Sequence, residues 1–430
     1  MTLTSRWFIF VLALFIYLPA GIFAREVPVS GKSVAGLESL DRLMTDFLTE
    51  HHVVGAALAV SRNGRLVYAR GFGWADREDK EKVEPSDMFR LASLSKSITS
   101  AAVLQLREEG KLKLDDKPFR ELAIRPVLPK GGHADPRLGD ITVLELLQHR
   151  GGFDRTKSSD PMFESVSIAG LCGMNPPAMQ EQIIRVACGR PLDFNPGERM
   201  AYSNFGYCVL GRVIEQASGQ SYPEYVQTHI FATLKVGHFR LGRTLLKDRA
   251  PGEVKYYTPD DARGESVFPP VGQQAPTPYG VWCLEAMDSH GGWIASAPDL
   301  LKFISAMDHP STSMILTQSA VDELFKRPPA ASGTDKNHPN AKPSVVWYGC
   351  GWSVRDVGGG RINTWHTGYF AGTSTLMVRR WDGLDWVVLF NQDCDPAGKN
   401  LADQIDPLVH GAVDAVKRWP EGEGRENAWP

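Results

Sequence analysis

Residues 91–100 read LASLSKSITS, and they open a segment whose spacing of aliphatic residues predicts an apolar helix. The helix is expected to run from Ser93 to Glu109, because Gly110 supplies a typical C-terminal stop. Lys96 falls in its first turn, although lysine is among the residues least often buried without a partner. A lysine at this position therefore needs a chemical explanation.

Ser93 and Lys96 have the spacing of a nucleophile and its base. Residues i and i+3 share one helix face, with Cβ atoms about 5–6 Å apart. A serine hydroxyl attacks once a base takes its proton, and a lysine amine is such a base when burial or a nearby cation lowers its pKa by roughly 3 units. The structural alternative is a capping serine beside a solvated lysine, because about one such spacing is expected by chance in a chain of this size.

The composition excludes several other classes of protein. The chain has 430 residues, of which 43% are hydrophobic and 23% charged, and its net charge is −3. These values are typical of globular proteins, and without a basic run we expect no nucleic-acid partner. The sequence contains no G-x-S-x-G, H-E-x-x-H or G-x-x-x-x-G-K motif. We therefore expect no metal and no cofactor.

The cysteines do not form a metal-binding or scaffold pattern. None of the six lies in a C-x-x-C pair, which disfavours a zinc ribbon or a thioredoxin-like motif. Cys172 and Cys188 are one of the nearest pairs, and an exported protein can join such a pair in a disulfide. The alternative, which we favour, is that they are free, buried thiols.

The N-terminal segment differs from the rest of the chain. Residues 1–24 read MTLTSRWFIFVLALFIYLPAGIFA, in which Arg6 precedes an apolar run from Trp7 to Phe23. With Ala24 before a cleavage point, this pattern predicts an export signal and hence a periplasmic or extracellular location. The alternative is an uncleaved membrane anchor, because about 17 apolar residues reach the lower limit for a span.

Strand patterns occur at both ends of the chain and helical patterns between them. Residues 53–73 read as two strands around Asn63-Gly64, a dipeptide that favours a tight hairpin. Residues 349–392 return to strand patterns, and Asp382-Gly383 marks a second hairpin. This order predicts an α/β (α+β) fold. An antiparallel sheet from the N- and C-terminal segments is flanked by helices and carries an inserted, mostly helical domain.

The same patterns predict the limits of the domains. We expect one domain over residues 33–418, with the helical insertion at about residues 114–298. Residues 419–430 read as a flexible tail, and residues 326–344 as a flexible loop. The oligomeric state cannot be read from these patterns.

Five stretches resemble the penicillin-recognising serine hydrolases, the family of class C β-lactamases, serine DD-carboxypeptidases and related esterases and amidases. The similarity extends from about Val53 to Asn391 and includes three motifs in the family's order: S-x-x-K, Y-S-N and H-T-G. The stretches are residues 71–116, 141–153, 194–226, 291–307 and 364–380. Three motifs in order are far more specific than any one of them.

The resemblance implies a role for each motif residue. Ser93 matches the nucleophile, Lys96 its base and Tyr202 a proton relay to the leaving group. Asn204 would bind the acyl-side amide of the substrate. His366, Thr367 and Gly368 match the third motif on a strand at the edge of the site, where Gly368 would let the substrate backbone approach. The backbone N–H groups of Ser93 and Tyr369 would form the oxyanion hole.

Several of these residues also have structural explanations. Tyr202 and His366 could be core residues, and Asn204 could cap the helix that begins after it. His149 resembles a structural feature of the family that supports a turn. His366 departs from the lysine usual in β-lactamases of this type and instead resembles carboxypeptidase and amidase branches. If His366 assists carboxylate recognition, KM should change between about pH 5 and 8.

The sequence thus predicts an exported serine hydrolase that forms an acyl-enzyme at Ser93. The expected substrate is a small molecule or peptide carrying an amide, D-peptide or ester bond, and residues 154–197 and 251–280 would set specificity. One alternative is a non-catalytic sensor of penicillin or peptidoglycan, or an assembly-forming scaffold. A second is a class C-like β-lactamase. Contact with a membrane is expected only through an uncleaved N-terminal segment.

Overall fold

The computed structural model describes residues 26–128, 130–308, 315–329 and 345–420. The predicted export signal, residues 1–24, lies outside these residues. So do residues 330–344 of the predicted loop and residues 421–430 of the predicted tail. Within the described ranges, no helix has the length and apolarity needed to span a membrane.

Strands from both ends of the chain form one antiparallel sheet, in the order β1-β3-β2-β14-β13-β12-β11-β10, with β4 paired to β3. Smaller sheets join β5, β9 and β6, and β7 with β8. The strands are β1 Val29–Ser30, β2 Gly55–Arg62, β3 Arg65–Asp76, β4 Glu81–Lys82, β5 Phe89–Arg90, β6 Phe239–Leu241, β7 Arg263–Glu265, β8 Gln274–Pro276, β9 Trp293–Ala295, β10 Val346–Tyr348, β11 Ser353–Gly358, β12 Arg361–Phe370, β13 Thr373–Arg379 and β14 Leu384–Phe390.

Helices flank the large sheet, and most of them lie in the chain between β5 and β10. They are α1 Glu38–Glu50, α2 Ser95–Glu108, α3 Pro118–Glu121, α4 Val143–Leu147, α5 Arg155–Ser158, α6 Ser165–Leu171, α7 Gln180–Ala187, α8 Asn204–Ser218, α9 Tyr222–Val226, α10 Ala232–Leu234, α11 Asp288–Gly291, α12 Ala297–Ser305, α13 Gln318–Phe325 and α14 Leu401–Asp414. This arrangement confirms the predicted fold class.

The N- and C-terminal halves of the sheet meet where β2 pairs with β14. Val387 of β14 lies opposite Ala59 of β2 in an antiparallel register. The β2–β3 hairpin turns at Asn63 and Gly64, whose φ angles are 50° and 73°, as predicted for a turn with two left-handed positions. The predicted hairpin at Asp382-Gly383 is also present, but residues 380–383 form a longer loop in which Gly383 has a φ of 76°.

Both faces of β14 are buried, because helices cover the sheet on each side. Trp386, Val388 and Phe390 pack with α1 and α14 in one apolar cluster. The alternating residues Val387 and Leu389 point to the opposite cluster, which contains α2, α8 and α12. A strand that is buried on both faces reads as a continuous apolar run, as residues 386–390 do.

Residues 251–280, one of the two segments expected to set specificity, contain the short strand pair β7–β8. Gly264 pairs with Ala275 in that hairpin. Tyr256 and Tyr279 bury their rings in the same region. The buried aromatic side chains therefore pack this segment against the rest of the protein. The high proline content of the segment gave no sign of this packing.

The packing of β14 can be tested by removing one aromatic ring. Phe390→Ala should lower the free energy of unfolding by about 3–5 kcal/mol, because the fully buried ring leaves a cavity beside Phe47. Urea unfolding monitored by fluorescence measures this change. Leu408→Ala, at an exposed position on α14, is the control and should stay within about 0.5 kcal/mol of the parent. Equal effects would contradict this packing.

Candidate active site

Ser93 lies on a tight turn immediately before α2. Residues Ala92–Leu94 form a short 3₁₀ helix, and α2 begins at Ser95. The predicted helix therefore starts two residues later than expected. Ala92 has a φ of 49°, a left-handed conformation that costs energy for a residue with a side chain. Such strain is frequent at active sites, where the surrounding structure holds it in place.

Two strands hold this turn from opposite sides. The backbone N–H of Leu91 donates to the Trp293 carbonyl of β9 at 2.8 Å. The hydroxyl of Thr375, on β13, donates to the Leu91 carbonyl at 3.0 Å. The position of Ser93 is therefore set by the large sheet and by the small β5–β9–β6 sheet together.

Lys96 is fully buried and contacts Ser93. Its Nζ donates to Ser93 Oγ at 3.0 Å and to the backbone carbonyl of His290, on α11, at 2.9 Å. Burial holds the pKa of Lys96 well below its usual range; Asp160 opposes this effect and the Arg155 cation adds to it. A neutral amine next to a serine hydroxyl is the arrangement that a general base requires.

Tyr202 lies beside this pair. Its ring centroid is 4.9 Å from Lys96 Nζ, and its hydroxyl is hydrogen-bonded to Ser93. Burial raises the pKa of Tyr202, so the phenol keeps its proton at neutral pH. The three predicted catalytic side chains, Ser93, Lys96 and Tyr202, are thus brought into mutual contact.

His149 supports the segment that carries Tyr202. Its Nδ1 accepts a hydrogen bond from the Ser203 N–H at 3.2 Å, and its carbonyl accepts one from the Ala201 N–H at 2.8 Å. Its ring packs 4.3 Å from the ring of Tyr202, measured between centroids. His149 therefore joins the turn after α4 to the second motif, a role more direct than the predicted support of a turn.

Asn204 is the first residue of α8, and Ser203 caps the helix through its hydroxyl. The predicted cap at Asn204 is therefore wrong by one residue. Asn204 Nδ2 instead donates to Asp160 Oδ2 at 2.7 Å. Its Oδ1 is buried and accepts no hydrogen bond from the described residues. Because the carboxylate needs a donor, Asp160 orients the amide so that the oxygen remains available as an acceptor.

His366 is buried on β12 and both of its ring nitrogens are engaged. Nε2 lies 2.9 Å from the hydroxyl of Tyr348, and Nδ1 lies 2.7 Å from the carbonyl of Thr367. A neutral ring satisfies both contacts when Nδ1 donates and Nε2 accepts from Tyr348. Burial is the main cause that lowers the pKa of His366 to about 3, and proximity to Lys96 acts in the same direction whenever that amine is protonated. A ring with this pKa stays neutral between pH 5 and 8, which disfavours the predicted pH dependence of KM; the role of His366 in substrate binding stays a prediction.

Gly368 is required by packing within the protein. A Cβ at this position would overlap the Leu91 carbonyl oxygen and the Thr375 hydroxyl, and would lie 3.0 Å from Ala92 Cβ. The absent side chain lets β12 approach the turn that carries Ser93. This internal contact is enough to require glycine here, and the approach of a substrate backbone stays a prediction.

Ser93 opens into a cavity of about 490 Å³. Its lining contains most of the predicted site residues, and also residues that the sequence analysis did not identify. The lining residues are Ser93, Arg155, Phe163, Met200, Tyr202, Asn204, Tyr348, Ser353, His366, Thr367, Tyr369 and Phe370. Ser93 and Tyr369, the predicted oxyanion-hole residues, thus face one cavity, and their role stays a prediction.

Arg155, Phe163 and Asp160 were missed as individual residues, although all three lie within the predicted specificity segment 154–197. The only signal for them in the sequence was their position in a segment expected to form loops beside the site. Tyr348 was missed because its segment carries no motif. None of the described residues forms a group of three or more His, Cys, Asp or Glu side chains able to hold a metal ion. All six cysteines, including Cys172 and Cys188, are free thiols.

Comparison with protein families agrees with this geometry. The family model described as Beta-lactamase matches residues 40–409. The chain belongs to this family. The resemblance stated from the three motifs is thereby confirmed, and it covers more of the chain than the motif-bearing stretches alone.

Relatives within the family carry different names. A probable fimbrial assembly protein FimD, serogroup H1, of Dichelobacter nodosus is 35% identical over 218 residues, covering 50% of each chain. Penicillin-binding protein 4* of Bacillus subtilis is 26% identical over 339 residues, 78% of this chain and 67% of that protein. The matched segments thus span half to about two thirds of these relatives. A D-amino acid amidase from Ochrobactrum anthropi SV3 shares the fold, with a TM-score of 0.66, 21% identity, and coverage of 88% of this chain and 98% of that one.

The neutral state of His366 can be tested through the pH dependence of substrate binding. A group with a pKa of about 3 is already neutral at pH 5 and stays neutral as the pH rises to 8. We expect KM for an uncharged ester to stay within about twofold over this range. A titration of KM between pH 5 and 8 that is absent from His366→Gln would contradict this assignment.

The packing of Gly368 can be tested by adding one methyl group. Gly368→Ala should lower kcat/KM by about a hundredfold, because displacement of Ser93 by about 1 Å misaligns its attack. The control is Gly411→Ala on α14, where an added Cβ has no neighbour within 4 Å. Steady-state kinetics and thermal unfolding should be measured for both variants. Normal activity of Gly368→Ala would show that β12 does not restrain the turn.

Proposed function

We propose that this protein is an exported serine hydrolase that forms an acyl-enzyme at Ser93 on amide, D-peptide or ester substrates. The observation that carries the proposal is the 3.0 Å contact between Lys96 Nζ and Ser93 Oγ, made by a fully buried amine. Burial favours the neutral amine, which can accept the serine proton. A surface lysine beside a capping serine would be neither buried nor neutral.

The acylation step follows from the three contacting side chains. Ser93 Oγ attacks the carbonyl carbon while Lys96 takes the hydroxyl proton, and a tetrahedral oxyanion forms. In this proposal the N–H groups of Ser93 and Tyr369, two residues that line the cavity, stabilise that oxyanion. The bond to the leaving group then breaks as Tyr202 donates its proton and is reprotonated from Lys96.

Deacylation uses the same groups with water as the nucleophile. Lys96, neutral again, takes a proton from water, and the resulting hydroxide attacks the acyl carbon of the Ser93 ester. The ester bond breaks, the acid leaves and Ser93 regains its proton. The enzyme is then ready for a second substrate, which distinguishes it from a sensor that stays acylated.

The orientation of Asn204 supports a substrate with an N–H group on its acyl side. Its free Oδ1 is a buried acceptor, and a buried acceptor without a partner costs roughly 1–3 kcal/mol. An acylated amine or a peptide would satisfy it. This favours amides and D-peptides, and the names of the amidase and of penicillin-binding protein 4* are consistent with that choice.

A neutral His366 makes efficient β-lactam hydrolysis the weaker alternative, since related β-lactamases usually carry a lysine there. Export is proposed from residues 1–24 and rests on their composition alone. The remaining alternative is a non-catalytic scaffold, which the name of the Dichelobacter relative suggests. A scaffold would not need the contact between Ser93 and Lys96.

Ser93→Ala and Lys96→Ala should each lower kcat at least about a hundredfold, because they remove the nucleophile or its base. Intact mass after brief exposure to a penicillin, a short aryl ester and a D-Ala-D-Ala peptide should show an adduct that is absent from Ser93→Ala.

Ser97→Ala is the matched control, because the Ser97 hydroxyl bonds the Gly351 carbonyl at 2.6 Å and not the site. It should retain the adduct and the turnover. Near-normal turnover in Ser93→Ala would refute the mechanism, and an adduct that persists in the parent without turnover would favour the sensor.

A further inference from the structure

Arg155 carries the only formal charge among the twelve residues that line the cavity. The other lining side chains are apolar, hydroxyl-bearing or amide groups, apart from His366, which is neutral above about pH 3. Arg155 lies on α5, and its Cζ is 4.7 Å from the ring centroid of Tyr202. This guanidinium therefore stacks on the phenol that contacts Ser93.

Arg155 forms no ion pair with a residue in the described part of the chain. Asp154 pairs with Arg199 at 2.7 Å. Asp160 interacts electrostatically with Arg155 but gives its hydrogen bond to the neutral Asn204 amide, at 2.7 Å, and not to the guanidinium. Arg155 is exposed and lines the cavity, so the donors of its guanidinium remain available to a ligand.

The opposite side of the cavity cannot supply this recognition. Both nitrogens of His366 are engaged, one by Tyr348 and one by the Thr367 carbonyl. A neutral, hydrogen-bonded imidazole offers an anion neither charge nor a free donor. A substrate anion would therefore find its charge complement at Arg155 and not on β12.

We infer that the site takes substrates that carry a carboxylate close to the scissile bond, and that Arg155 binds this carboxylate and so determines specificity. The inference rests on the proposed function and narrows its substrate class. A guanidinium binds a carboxylate through two parallel N–H bonds, and the Tyr202 ring holds it in place for that contact. The apolar lining residues Phe163, Met200 and Phe370 would receive the rest of the substrate.

The test compares matched esters that differ only in charge. One pair carries the charge on the acyl side: the 4-nitrophenyl ester of glutarate against that of glutaramate. The other carries it on the leaving group: the butyrate ester of 3-hydroxybenzoate against that of 3-hydroxybenzamide. We expect kcat/KM to favour the carboxylate by about tenfold or more in at least one pair, a typical effect of a charge-assisted bond.

Arg155→Gln should abolish this preference, and Arg155→Lys should retain part of it, because lysine keeps the charge but not the fork of donors. The quantity compared is the ratio of kcat/KM for the charged ester to kcat/KM for the neutral ester of the same pair. A general effect of Arg155 on Lys96 would change kcat/KM equally for both esters and so cancels from this ratio. Lys157→Gln is the matched control on the same short helix and should keep the preference. Lys157 is 63% exposed and does not line the cavity.

Binding to Ser93→Ala separates this inference from the proposed function. Calorimetry with N-benzoylglycine and its amide should show about tenfold tighter binding of the carboxylate, and Arg155→Gln in the same background should remove the difference. A binding preference without turnover would refute the hydrolase and leave the inference standing. Turnover that depends on Ser93 but shows no charge preference, or a preference that survives in Arg155→Gln, would overturn the inference alone.

Discussion

The burial of Lys96 is the constraint on which the rest of the site depends. A charged amine removed from water costs several kcal/mol, so the amine remains buried as the neutral base. Its two contacts, Ser93 Oγ and the His290 carbonyl, come from segments almost two hundred residues apart. The sheet and the helical region must therefore close around one side chain. Lys96 lies on α2, which follows strand β5. The helical region farther along the chain contributes α11 and the ring of Tyr202.

The strained backbone at Ala92, next to Ser93, must be held by rigid neighbours, and these neighbours come from distant parts of the chain. Ala92 keeps its left-handed conformation because strands β9 and β13 bond the residue before it on both sides. The contact at Gly368 brings β12 against the same turn. These restraints explain why the third motif requires a small residue, and they link the geometry of the nucleophile to the buried sheet whose two halves join at β2 and β14.

Charge in the cavity is distributed differently from what the third motif suggested. His366 is neutral and held by Tyr348, while the cation lies on α5, in a loop region of the helical segment. Loops on a rigid scaffold are where related enzymes of one fold vary their specificity. Asp160, from the same loop, orients Asn204. In the proposed mechanism, substrate selection and chemistry are therefore carried by different parts of the chain.

The sequence by itself determined the fold class, the first hairpin and the motif residues, because local spacing and turn chemistry encode them. Ser93 and Lys96 are three residues apart at the start of a helix, and Asn63-Gly64 supplies both left-handed positions of its turn. It also indicated the segment 154–197, which contributes Arg155 and Phe163 to the cavity. Only the tertiary structure decided the protonation state of His366 and the orientation of Asn204. Both depend on partners, Tyr348 and Asp160, that are distant in sequence and carry no motif. Burial and long-range hydrogen bonding set these properties, and no local pattern records them.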